Sequence, residues 1–142
     1  MRFDSLALCA ALQVYLKEKG IAPVFIGAAP AATRGSYFVI SDVSADFTQE
    51  DLIATDGVYA EVEISAYGNT LADIDTAAVA LWTALNRPGE VFKMADLNID
   101  YCRIQRDGIT SDTTPAGAEE SQIFYQLTAL IKATNSEVLN EI

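Results

Sequence analysis

The chain has 142 residues, 51% of them hydrophobic, with 20 acidic against 9 basic side chains, a net charge of −11 and no histidine. That length suits a single domain, residues 1–142, able to bury about two-thirds of its unfolded surface. The charge argues against wrapping nucleic acid, which needs clustered Lys and Arg, and the missing imidazole removes the commonest general base and metal ligand.

At the start of the chain Asp4 follows Arg2 closely, without the charge and cleavage pattern of a signal peptide. No run approaches the ~20 apolar residues of a membrane span. The expectation is a protein of the cytoplasm where it is made, with no membrane partner. Asp4 or Ser5 can cap a first helix, in which Leu8, Leu12, Tyr15 and Leu16 recur on one stripe. Lys17 and Lys19 suit its last turn and Gly20 its C′ position. Cys9 falls in this helix and Cys102 in a strand-like run, so buried free thiols are expected rather than a disulfide.

Residues 22–35 mix Pro, Gly and Ala and read as a connection, with a short extended piece over Val24 to Ile26. "SYFVISDVS" reads as a strand. Residues 44–57 read as an acidic loop. "VYAEVEISAY" alternates: Val58, Ala60, Val62, Ile64 and Ala66 face one way, and Tyr59, Glu61, Glu63, Ser65 and Tyr67 the other. After "GNT", Thr70 with Asp73 resembles a capping box. Leu71, Ile74, Ala78, Leu81, Trp82 and Leu85 are then expected as the buried stripe of a second helix, stopped by "NRPG". Two more strands are expected over 96–107 and 121–133, with a long loop over 106–121 between them and a tail over 134–142 that either frays or docks as a short helical end through Val138 and Leu139. The expected fold class is α+β: two helices packed on one face of a mainly antiparallel four-stranded sheet.

No constellation for catalysis or metal binding stands out. Glu61 and Glu63 share a strand face about 7 Å apart, a spacing that could suit paired carboxylates, but an open solvent face explains them better. Asp73 and Asp75 suit a helix N-terminus. Neither a calcium loop nor a glycine-rich phosphate loop occurs. Tyr59, Tyr67, Tyr101 and Tyr125 could line a stacking platform for single strands, but Glu61 and Glu63 beside them oppose it. Core or interface roles are preferred for these tyrosines. No cofactor, metal or catalytic residue is expected.

The order of elements, with "SYFVISDVS", "YAEVEISAYGNTLADIDTAAVALWTAL", "LNIDYCRIQRD" and "QIFYQLTALIKA", resembles the tail-completion, or tail-terminator, proteins of long-tailed bacteriophages and prophages. The likeness spans nearly the whole chain; Gly35–Ser36 stands where such proteins carry Pro before the strand's Tyr. The resemblance implies a non-enzymatic virion protein of the tail–neck region, assembled in the host cytoplasm. It would form a homo-hexameric ring on the last ring of the tail tube, stop tube growth and meet the head-completion or connector protein. DNA would pass through the lumen without specific binding. Asp46, Glu50, Asp51, Glu61 and Glu63, in an interval without a basic residue between Arg34 and Arg87, are the candidates for an acidic lumen. Ile109, Thr110, Asp112, Thr114, Glu119 and Glu120, in the expected loop, are the candidates for tail-tube or subunit contact. The alternatives are another neck or connector protein of the head–tail interface and, in a different class, a small ligand-binding or enzymatic domain using Glu61 and Glu63.

Overall fold

A computed structural model of the chain describes residues 5–30, 33, 35–46, 57–95, 97–112 and 122–135. Its elements are α1 (Ser5–Glu18), β1 (Val24–Ile26), β2 (Tyr37–Asp46), β3 (Gly57–Gly68), α2 (Leu71–Leu85), β4 (Phe92–Met94), β5 (Leu97–Asp112) and β6 (Gln122–Asn135). The fold is α+β, as expected, but the sheet has six strands in the order β1-β2-β3-β6-β5-β4. All neighbours are antiparallel except β1, which runs parallel to β2. The two strands beyond the expected four are three-residue edge pieces, too short to show a two-residue beat; only the first was visible as an extended piece. The sheet curls: α1 touches β1 and β2 at one edge and β4 at the other, while α2 lies against β3, β6 and β5.

A second correction concerns the loop between the last two strands. β5 continues past residue 107, and Ile109, Thr110 and Asp112 pair with Tyr125, Phe124 and Gln122 of β6. "GITSD" hides this extension because its polar and glycine residues lack the apolar beat of a strand, and the ladder with β6 supplies what local propensity does not. Two bulges in β5, between Ile99 and Tyr101 and between Ile104 and Arg106, further blur the alternation.

Buried on the concave side are Leu8, Leu12, Tyr15 and Leu16 of α1, with Ala60, Val62, Ile64 and Ala66 of β3. Leu127, Ala129, Ile131 and Ala133 of β6 complete that layer. The first helix ends as its glycine suggests. Gly20 has φ 80°, its N–H donates to Lys17 O at 3.0 Å, and Ile21 N–H donates to Leu16 O at 2.8 Å, a Schellman closure. Thr70 caps α2, its Oγ1 accepting from Asp73 N–H at 3.2 Å.

The buried stripe of α2 differs from the expected one. Ile74, Ala77, Leu81, Ala84 and Leu85 point inward, whereas Leu71 and Trp82 are exposed. At 100° per residue, positions 71 and 82 fall on the flank that the sheet does not reach.

Candidate functional site

The convex face of the sheet carries the polar set expected of β3, and the ladder fixes its neighbours. One cross-strand row is Tyr59, Lys132 and Tyr101; the next is Glu61, Leu130 and Arg103; a third is Glu63, Thr128 and Arg106. Glu61 and Glu63 stand on β3 and Arg103 and Arg106 on β5, while Lys132 on β6 is paired with Asp100 of β5. Asp46 stands at the end of β2 in register with Tyr59. Glu50 and Asp51 lie outside the described residues. Among the described residues this face is a mixed surface, acidic on β3 and carrying Arg103 and Arg106 on β5. The pattern escapes linear reading because the intervals free of Lys and Arg and those containing them meet only through the β3–β6–β5 pairing.

Glu63, Arg106, Asp107, Gly108, Gln126 and Thr128 line a depression of about 170 Å³. A Cβ at Gly108 would meet nothing within 4 Å, so a side chain fits there without a clash. Glu61 is exposed on the same strand face. The described residues hold no group of three or more His, Cys, Asp or Glu placed to bind a metal ion.

The four tyrosines weighed as a platform do not come together. Tyr125 is buried on the helix side, where its hydroxyl donates to Asp107 Oδ2 at 2.8 Å. Burial first, and then this bond, raise its pKa. Tyr59 lies beneath the Lys132 ammonium, 5.5 Å from the ring centroid, and Lys132 also pairs with Asp100 at 3.5 Å. Tyr67 belongs to a different row. Its ring stacks on Tyr37 at 4.8 Å and 10° and on Phe124 at 5.3 Å and 26°, and Phe25 meets Tyr37 edge-on at 6.1 Å. Rings stacked this way spend their faces on one another, so a nucleic-acid base has little π-surface left to use. The row is a cross-strand clamp over β1, β2, β3 and β6.

A second cluster joins the two helices to the β4 edge. The Tyr15 hydroxyl donates to Ala84 O at 2.8 Å and accepts from Arg87 Nη1 at 3.0 Å. Arg87 holds Glu90 through Nε and Nη2, lies 4.9 Å over the Phe92 ring, and donates its backbone N–H to Cys102 O at 2.6 Å. Asn86 Oδ1 accepts from Ile104 N–H at 3.2 Å. "NRPG", read only as a helix stop, is therefore also the clasp between α2 and β5. Both cysteines are free and buried, as expected, and burial pushes the Cys102 thiol up to about 12.

The surface that sequence reasoning missed is on the outside of the helices. Leu71, Val79 and Trp82 of α2 are 62%, 59% and 43% exposed, and Leu6 and Val14 of α1 are 69% and 45% exposed. The signal was present: α2 is apolar on more than one side, which usually marks a helix covered all round. The candidates Thr114, Glu119 and Glu120 lie outside the described residues, while Ile109, Thr110 and Asp112 sit in the β5 ladder. No helix among the described residues is long and apolar enough to cross a membrane. No protein-family model and no curated protein matches the chain.

Proposed function

We propose that the chain is a structural ring protein of the tail–neck region of a long-tailed bacteriophage or prophage, which caps the tail tube and joins it to the head connector. The observation that carries this reading is the apolar outer surface of α1 and α2. Five large aliphatic or aromatic side chains stay in water in a single copy, and such groups concentrate where one protein meets another. The charge-divided sheet face supports it further, since an acidic flank on one copy complements a basic flank on the next. The resemblance of the sequence to the tail-completion proteins is the remaining support. In this reading the partners are further copies of the chain, the tail-tube protein and a connector protein, with DNA passing unbound through the opening.

The test is tube termination. Tail-tube protein from the same genome is polymerised with and without the purified chain, and tube lengths are measured by electron microscopy. Shorter tubes bearing a terminal ring are expected. An unchanged length distribution without end density would overturn the reading.

A further inference from the structure

The exposed residues of the two helices fall at the same offsets. On α1 the outward stripe is Leu6, Ala10, Val14 and Lys17; on α2 it is Leu71, Asp75, Val79 and Trp82, and all eight are exposed. Each sequence of steps is four, four and three residues, so each stripe spans about 16 Å of helix. The stripes differ in charge: a lysine closes the first, and an aspartate interrupts the second. α2 has no basic residue in its last turn, and α1 has no acidic residue in its first.

We infer that these stripes are the two halves of one contact between copies of this chain, with α1 of one copy lying antiparallel on α2 of the next. The charges choose the direction. In the antiparallel arrangement Leu6 meets Trp82, the small Ala10 receives Val79, Val14 packs on the methylene of Asp75, and Lys17 covers Leu71 with its stem while its ammonium reaches the Asp75 carboxylate one turn away. A parallel arrangement places Asp75 against Ala10 and leaves Lys17 about 10 Å along the axis from that carboxylate, beyond pairing distance. It also sets like ends of the helix dipoles together. Glu18 lies at the margin of the α1 stripe and Asp73 on the far side of α2, so neither interrupts the pairing.

The contact is heterologous, so each bound copy keeps one free half and growth stops only where a ring closes. This names the subunit surface of the proposed ring; it depends on that reading only for the number of copies and for ring closure.

The test uses two half-blocked chains, Val14→Glu and Trp82→Glu, with light scattering over a concentration series and circular dichroism to verify folding. Wild type is expected to form species larger than a pair. Each variant alone should assemble at concentrations raised about 30-fold or more. Mixed in equal amounts they should form two-chain species and nothing larger, because one intact α1 stripe meets one intact α2 stripe. Lys17→Asp and Asp75→Lys should each weaken assembly, and their combination should restore it. Wild-type monomers at all concentrations, a Trp82→Glu chain assembling like wild type, or a mixture that stays monomeric would each overturn the contact. Tube termination that persists with Trp82→Glu would overturn the contact while leaving the tail-cap reading intact; loss of termination by wild type itself would overturn that reading instead.

Discussion

Replacing Tyr15 by Phe removes one oxygen and keeps the ring. The ring of Tyr15 is 3% exposed and packs against Phe92 at 5.4 Å, so no cavity opens and the apolar contacts persist. Two hydrogen bonds vanish, however: the donation to Ala84 O and the acceptance from Arg87. Arg87 still has Glu90, and its side chain is 25% exposed, so water replaces the lost acceptor at little cost. The Ala84 carbonyl is different. It lies in the last turn of α2, where the following carbonyls have no helical partner, and Ala84 itself is 6% exposed. A buried acceptor left without a donor costs about 1–3 kcal/mol. The expected loss is therefore about 2 kcal/mol, measured as a lower urea midpoint with an unchanged slope. Tyr15→Phe combined with Arg87→Met should fall short of additivity, because both changes act on one network. A loss under about 0.5 kcal/mol would refute the claim that this hydroxyl fastens the two helices together.

Leu81→Ala and Ile74→Ala should each cost about 2–5 kcal/mol because both side chains are fully buried. Trp82→Ala should cost under about 1.5 kcal/mol in the isolated chain; a larger loss would contradict its outward placement. Gly20→Ala should cost about 1 kcal/mol, since φ is 80° there and an L side chain resists that backbone. Ala95, at φ 51° between β4 and β5, should gain about 0.5–1 kcal/mol on replacement by Asn, read as a higher melting temperature. The Cys102 thiol, pushed up to about 12 by burial, stays protonated in the fold where the unfolded chain ionises near 8.5. Its contribution is complete below about pH 8.5 and lost as pH rises toward 12, at up to roughly 1.4 kcal/mol per unit. Urea midpoints between pH 8 and 11 should fall, and less steeply in Cys102→Ala; identical slopes would remove the assignment.

How much could be read in advance depended on the range of the interaction. The buried face of α1, the Gly20 closure, the Thr70 cap and the alternation of β3 are governed by neighbours within a few residues, and each is legible. The edge strand β4 has no local signal, and β1 shows only as a short extended piece, because three residues become a strand only when a long partner is already there. Trp82 was misassigned because an apolar helix does not say which of its flanks meets the sheet. The joining of Tyr15 to Arg87 spans 72 residues, and no local pattern announces it. The charge division of the sheet face arises the same way, from the β3–β6–β5 order. The outer helix stripes were visible as residues but not as surface, since their offsets acquire meaning only once the other side of each helix is covered.

The position of β6 has a consequence for how the chain reaches this state. β6 follows every other described strand in sequence, yet it lies in the middle of the sheet, with Gly57 opposite Thr134 and Gly68 opposite Ile123 on one flank and β5 on the other. A nascent chain halted before residue 122 therefore lacks the strand that joins β1-β2-β3 to β5-β4, and the β3 and β5 edges have no partner from β6. Such a fragment should seek any extended peptide that fits the slot. Supplying residues 122–135 in trans is the natural way to complete it.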